Sequence, residues 1–380
     1  GQMCAALGHN HPRITQALQE SCETLIHSHM SIFNDREIIL ASRLAEIAPP
    51  GMTKSMFLTS GSDSNEAAMT IAKRYTGGYE VASPMVSFHG LSDAARAVTF
   101  AGWRDSYGPF APGNYAIFAP YRYRCSFCRD KSACDYTCLN ASFDILEAQA
   151  DRQMAAVITE SLFSAGGVID LPPGWLQELQ TRCHERGMLL ILDEAQTGLA
   201  KLGSMWASEQ EGVVPDIFTI SKHFGGGIAI SAVITTPEIE DKMAETGFVV
   251  GHSHSNDPLP CHAAIATLDI ILEQNLVEVA QQIGTRWKNH LESLASRHQI
   301  IGDIRGRGLL QGIELVKDRD SREPAYEEGR QIGRLCLEKG LIMSLRRGGS
   351  VFRFVPPFTT SEEQLDRAAA ILDEAIGEVV

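Results

Sequence analysis

The sequence predicts an α/β protein: a mostly parallel central sheet flanked by helices, followed by a smaller C-terminal α+β domain. Three observations predict it. Between about Met52 and Thr236, short apolar runs alternate with helical patterns, the signature of a largely parallel sheet. Several of those runs are nearly all apolar, as expected of strands covered by helices on both faces. After about Pro260 the texture changes to a long helical stretch and then shorter mixed elements.

Composition agrees with this class. The chain has 380 residues, 44% hydrophobic and 21% charged, which suits a globular protein of about two domains. Its net charge of −14 argues against a broad basic face for nucleic acid, because a phosphate backbone demands clustered cations. No apolar run reaches the ~18 residues of a membrane span, so no membrane partner is expected. Nine cysteines scattered over a long chain suit a reduced, cytoplasmic protein rather than a disulfide scaffold. The opening Gly1-Gln2-Met3 reads like the inside of a domain, so a preceding N-terminal stretch is expected.

Taken in order, the expected strands are Lys54–Thr59, Glu80–Ser87, Ala155–Thr159, Met188–Leu192, Ile217–Ile220 and Ala232–Thr236. Glu66–Tyr75 and Leu176–Arg186 read as two of the intervening helices. His262–Glu292 reads as one long helical stretch, Arg305-Gly306-Arg307-Gly308 as a turn before a Leu309-Leu310 strand, and Arg353–Pro357 as the end of another strand. The division expected is an N-terminal segment over 1–35, a large domain over 36–260, a linking helix over 261–290 and a small domain over 291–380.

In such sheets ligands bind beyond the carboxyl ends of the strands, so the residues after each strand carry the chemistry. The first strand runs into Thr59-Ser60-Gly61-Ser62-Asp63, a Gly-Ser turn opening a helix, which can offer N–H groups and hydroxyls to a phosphate. The same residues also make an ordinary N-cap. The second strand ends at Phe88-His89, where an aromatic ring can stack on a flat ligand; a core Phe and a hydrogen-bonded His are the commoner fates. Asp193 follows the apolar Met188–Leu192 run, and a carboxylate there is costly unless it meets a cation. Lys222 follows Ile217–Ile220, beside Gly225-Gly226-Gly227; a lysine at the mouth of an apolar site can lose its proton and act as a nucleophile. Together, a phosphate cradle, an aromatic stack, a carboxylate for a ring nitrogen and a Schiff-base lysine specify a site for pyridoxal 5'-phosphate (PLP).

Leu192-Asp193-Glu194-Ala195-Gln196-Thr197-Gly198 and Ser221-Lys222 resemble, in residues and spacing, the motif of the class III aminotransferases, and the resemblance runs over essentially the whole chain. Within that family the chain is most similar to the 2,2-dialkylglycine decarboxylases, through Gly187–Leu192, Asp257-Pro258-Leu259-Pro260 and Ile304–Leu310 as well as the N-terminal tripeptide. The resemblance implies the PLP fold-type I architecture. It implies Lys222 as the Schiff-base lysine and proton shuttle, Asp193 on the pyridine nitrogen and Gln196 on the phenolic oxygen. Phe88 would stack on the ring beside His89. Ser60, Gly61 and Ser62 would bind the phosphate, with Ser253 completing that site from a neighbouring subunit. Arg353 would bind a substrate carboxylate, with Gln2 near the bond to be cleaved. The activity implied is transfer of an amino group to a 2-oxo acid such as pyruvate, coupled to decarboxylation of dialkylglycines, in a homodimer or tetramer with shared sites. A transaminase without decarboxylation, or elimination or racemisation on the same scaffold, is the alternative.

Two departures from the family bear on that activity. Where many members carry a Glu that masks the substrate arginine, this chain has Ala165, and Phe88 stands where the decarboxylases have Trp. An alkali-metal ion, as in the decarboxylases, would fall among Ser28, Met30, Ser253, Ser255 and Asp257; Met30 there is a poor ligand for a hard cation. Cys125, Cys128, Cys134 and Cys138 lie within fourteen residues, enough for tetrahedral zinc in number, but the paired spacing is lost in the second half, so free or partly buried thiols are expected. No metal site is assigned there, nor to His252/His254 or His9/His11, which read as loop and turn residues.

Overall fold

The computed structural model describes every residue except 1, 103, 106, 151–153 and 248–250. Gly1 of the N-terminal tripeptide therefore lies outside the described residues. The central sheet contains β1 (Lys54–Leu58), β2 (Glu80–Pro84), β3 (Asn114–Ile117), β4 (Met154–Glu160), β7 (Leu189–Asp193), β8 (Ile217–Ile220) and β9 (Ser231–Thr235). Their order across the sheet is β1-β9-β8-β7-β4-β2-β3. From β8 through β7, β4 and β2 to β3 every pairing is parallel, whereas β9 is antiparallel to both β8 and β1. Every strand but β9 therefore ends at the same edge.

Alternation along the strands explains the two layers. In β4 and β7, Val157, Leu190 and Leu192 join one core with Trp175, Leu176 and Leu179 of the helix Trp175–Glu185. Ala156, Ile158, Leu189 and Ile191 point the other way, onto Ala67, Ala68, Ile71 and Ala72 of the helix Gly61–Thr76. That helix begins in a capping box between Ser60 and Asp63 and ends at Gly77, whose φ is 77°.

Between β4 and β7 lies a small ribbon, β5 (Leu162–Phe163) and β6 (Ile169–Asp170). The C-terminal region forms a separate antiparallel sheet of β10 (Ile301–Arg307), β11 (Leu310–Leu315), β12 (Ser344–Arg346) and β13 (Val351–Phe354), in the order β10-β11-β13-β12. It has its own core, in which Trp287 and Leu291 pack with Ile313, Phe352 and Leu372. Among the described residues no helix is long and apolar enough to cross a membrane.

Three sequence expectations change. The stretch expected as one helix, including the linking helix over 261–290, is two helices, Pro258–Glu273 and Leu276–Arg297, broken where Asn275 takes φ 49°. Asn tolerates that left-handed conformation. Arg305, Gly306 and Arg307 belong to strand β10, and the turn is made at Gly308, where a Cβ would come within 2.6 Å of the Lys201 carbonyl oxygen. The edge strand β3 has only four residues and follows Pro112-Gly113, too short a run to register as a strand.

Candidate active site

Glu160 and Asp193 are register partners at the ends of β4 and β7, and Asp193 pairs in turn with Thr219 on β8, two residues before Ser221-Lys222. Parallel pairing thus lines up the side chains the sequence could only place one by one. Gln2, Ser60, Gly61, Ser62, Phe88, His89, Asp193 and Lys222 share one cavity of about 410 Å³.

Asp193 is 5% exposed and fully engaged. Its Oδ2 accepts from Asn65 Nδ2 at 2.7 Å and lies 2.9 Å from His89 Nδ1, while Oδ1 accepts from the Ala195 N–H at 3.0 Å. Burial alone would raise its pKa, but the His89 hydrogen bond and charge and the Lys222 ammonium outweigh that and hold it below the usual range. His89 Nε2 meets Ser83 Oγ at 3.1 Å, and Asn65 also bonds the His89 carbonyl and accepts from Thr219. His89 therefore orients Asp193. The neighbouring Glu194 turns away, accepting from the Ala207 and Ser208 N–H groups.

Lys222 has a positive φ of 55°, a conformation that non-glycine residues hold only where the surroundings enforce it. Burial lowers its pKa against the pull of Asp193 and Glu160. Glu160 is 3% exposed, with Oε1 accepting from the Phe88 N–H at 2.9 Å and Oε2 from the Ser164 N–H at 3.2 Å. Burial first, then repulsion from Asp193, pushes it up to about 8.

At the helix start the hydroxyls are already engaged: Ser60 Oγ donates to Asp63 at 2.8 Å and Ser62 Oγ accepts from the Leu91 N–H at 3.1 Å. The N–H groups of Gly61 and Ser62 have no acceptor within the helix and remain for an anion. A Cβ at 61 would lie 2.8 Å from Ser221 Oγ, so a larger residue there would make that hydroxyl turn aside. Gln196 is buried, and its Oε1 finds no hydrogen-bond partner among the described residues.

Arg353 lies on β13, opposite Ser344 and Gly312, and is 3% exposed. Its guanidinium donates to Ser164 Oγ at 3.0 Å and Ser344 Oγ at 3.3 Å, and its Nε has no partner among the described residues. Burial and then Arg346 lower its pKa to about 9. Arg353 lines a neighbouring cavity of about 740 Å³, and Gln2, itself exposed, lines both cavities. Ala165 follows Ser164, so the masking position carries no carboxylate.

Ser253 is exposed, in a turn tied to β1 through His252 Nε2, 3.2 Å from Thr59 Oγ1, and does not line the cavity of its own chain. Both oxygens of Asp257 are occupied, by His27 Nδ1 at 2.6 Å and His254 Nδ1 at 2.7 Å, so the carboxylate considered for an alkali-metal ion already has partners. His11 Nδ1 caps the first helix by accepting from the Arg13 N–H.

Sequence reading missed Asn65, Glu160, Ser164 and Thr219 as site residues. Glu160 carried the same signal as Asp193, a carboxylate ending an all-apolar strand. Asn65, Ser164 and Thr219 carried none, since each acts only through a partner remote in sequence.

The residues fit PLP. A carboxylate held ionised, a lysine with a destabilised ammonium, free helix N–H groups and a buried amide with unfilled capacity are the donors and acceptors that cofactor needs. Fold and site thus define a fold-type I PLP-dependent enzyme. The chain belongs to the class III aminotransferases, whose family model, Aminotransferase class-III, matches residues 1–376. An uncharacterized aminotransferase of Schizosaccharomyces pombe is 41% identical over 380 residues, spanning 99% of this chain and 85% of that protein. A leucine/methionine racemase of Thermococcus litoralis is 34% identical, spanning 98% and 84%. Among solved structures, a PLP-bound amine transaminase from an uncultivated Pseudomonas species superposes with a TM-score of 0.93 at 27% identity, covering 100% of this chain and 89% of that one. The protein is a PLP-dependent aminotransferase. The finer likeness to dialkylglycine decarboxylases rests on the sequence stretches alone.

Proposed function

We propose that the enzyme carries the amino group of an α-amino acid to a 2-oxo acid, with Arg353 holding the carboxylate of both. The observation behind this is the state of Arg353: a buried guanidinium facing a cavity, held by two serine hydroxyls, with an unfilled Nε and no carboxylate within salt-bridge distance among the described residues. A buried cation so placed favours a bidentate carboxylate ligand.

PLP, when bound, supplies the electron sink. On this reading Lys222 holds it and moves the substrate α-proton on Nζ, since burial lowers its pKa and so favours the neutral amine that takes up a proton. Asp193 keeps the ring nitrogen protonated, and His89 and Asn65 position Asp193. Gln196 bonds the phenolic oxygen, Phe88 covers one ring face, and the helix start at Ser60, Gly61 and Ser62 holds the phosphate. Ser253, exposed and outside its own cavity, completes the phosphate site of a second copy. A dimer is therefore expected, and Ser253→Ala should weaken PLP retention without dissociating it in sedimentation; unchanged retention would remove Ser253 from the site.

A second reading, decarboxylation of dialkylglycines, is supported by Gln2, which lines both cavities. Its amide can hold a carboxylate out of the ring plane, the orientation in which loss of CO₂ is favoured. The test compares L-alanine with 2-aminoisobutyrate, which has no α-hydrogen, using pyruvate or another 2-oxo acid as acceptor. Amino transfer from alanine is expected. CO₂ from 2-aminoisobutyrate, reduced in Gln2→Ala more than alanine turnover is, supports the second reading; its absence leaves amino transfer alone. Chiral analysis of recovered alanine separates both from racemisation, the activity named for the Thermococcus relative.

A further inference from the structure

His27, His254 and Asp257 take no part in this chemistry, and folding brings His27 to Asp257 across 230 positions of chain. His27 lies in the connection between the first two helices, Pro12–Glu23 and Asp35–Ile47. His254 and Asp257 lie in the turn that leads into the helix Pro258–Glu273. His27 Nδ1 is 2.6 Å from Asp257 Oδ1, and His254 Nδ1 is 2.7 Å from Asp257 Oδ2. One donor atom from each of the three residues lies within 4.8 Å of the other two.

The carboxylate is diverted from an ordinary role. Asp257 occupies the N-cap position of its helix, where Asp commonly accepts from a backbone N–H, yet its side chain makes no such bond. It is 7% exposed, and both oxygens face imidazoles instead. The backbone around it is fixed in place. Asn256, at φ 61°, donates its N–H to the Phe57 carbonyl of β1 at 3.2 Å and accepts from the Phe57 N–H on its side-chain oxygen at 3.1 Å. The His254 N–H donates to His252 Nδ1 at 3.1 Å. The Leu259 N–H donates to the Ile26 carbonyl at 3.4 Å, which keeps His27 against the turn.

We infer that His27, His254 and Asp257 form a binding site for a divalent transition metal of the Zn²⁺ type, separate from the PLP site. Two imidazoles on one tetrahedral ion, with Zn–N of about 2.0–2.1 Å, hold their ring centres roughly 5.2 Å apart. The ring centres of His27 and His254 are 5.2 Å apart. The N···O spans to Asp257 open to about 3.0–3.4 Å when an ion enters between them. That movement is small for imidazoles whose side chains are 50% and 67% exposed. His254 and Asp257 also line a cavity of about 200 Å³, from which water can fill the remaining coordination position. The donor set selects the metal: imidazole nitrogen suits zinc, nickel or copper, whereas hard cations prefer an all-oxygen shell.

A carboxylate only accepts, so in the metal-free protein each imidazole presents an Nδ1–H to Asp257. Binding places both Nδ1 lone pairs on the ion, and each neutral ring carries its proton on Nε2 instead. Two N–Zn bonds and a carboxylate–Zn bond form, two hydrogen bonds are given up, and no electron is transferred. The ion joins the connection between the first two helices to the turn before the helix Pro258–Glu273. Because the unfolded chain does not hold these three residues together, binding stabilises the folded one by mass action.

The test is calorimetric titration of zinc chloride into PLP-loaded enzyme that has been treated with EDTA, desalted and kept reduced, with X-ray absorption at the zinc edge to identify the donors. One zinc per chain, bound through nitrogen and oxygen, is expected, together with a higher melting temperature. His27→Ala and His254→Ala should each weaken that binding at least about tenfold and remove the rise in melting temperature. His27 is exposed, so His27→Ala keeps the fold and decides the question even where the His254 variant does not fold. Zinc whose donors are sulfur alone, affinity unchanged in His27→Ala, or no zinc bound to the wild type would each overturn the inference.

Discussion

Asp193 and Arg353 are both buried charges beside a cavity, at opposite ends of the proposed site, but they are satisfied in different ways. Asp193 has three hydrogen-bonding partners, one of them an imidazole, and its carboxylate sits below the usual pKa. Arg353 has two hydroxyls and an unfilled Nε, and its pKa falls to about 9. The difference matches the partners proposed for them. A group that faces a resident cofactor is held in one protonation state and one orientation by the fold. A group that faces a succession of substrates keeps hydrogen-bonding capacity open for each arrival. Leaving a buried donor unfilled costs about 1–3 kcal/mol, a cost that an arriving carboxylate removes.

The largest expected effect lies at the cofactor end. Lys222→Ala should abolish the visible absorbance of bound PLP and lower turnover by at least about a thousandfold. Asp193→Asn should lower kcat by about a hundredfold or more while melting as the wild type does. Turnover close to wild type in either variant would break the assignment of that end.

A smaller and selective effect is expected at the other end. Arg353→Met should raise KM for carboxylate-bearing donors by about 10- to 100-fold, the worth of hydrogen bonds to a charged group. Amine donors lacking a carboxylate should be nearly unaffected. Equal losses for both donor types would make Arg353 a structural residue and erase the contrast with Asp193.

The smallest effect concerns Glu160, which stands between the two poles. Its folded pKa near 8 exceeds the ordinary 4.5, so the folded protein keeps a proton there that the unfolded chain has lost. The stability contributed by that proton is complete below about pH 4.5 and is lost as pH rises through about 8. Thermal melts of PLP-free enzyme should show this decline, and Glu160→Gln, which cannot titrate, should flatten it. An unchanged slope would mean that Glu160 is ionised in the folded protein and holds a full negative charge beside Lys222.

Much of this was legible in the chain itself. Runs such as Ile217–Ile220 and the residues that end them follow from local rules: an apolar run needs cover on both faces, and a charge placed after it needs a partner. Asp193, Lys222 and the Ser60–Ser62 turn could therefore be singled out, and their joint chemistry pointed to PLP before any contact was known. The tertiary structure decided what depends on distance. It put Asn65 and His89 on Asp193, brought Glu160 level with Asp193 through strand register, set Lys222 at φ 55°, and gave Ser164 to Arg353. It also gathered Cys125, Cys128 and Cys138 into one small buried cluster with Cys134 against it, and broke the expected long helix at Asn275. Periodicity and composition report a residue's immediate neighbours along the chain, whereas hydrogen bonds and desolvation are set by groups far apart in it, 189 residues in the case of Arg353 and Ser164. Only the packed fold brings such groups within reach.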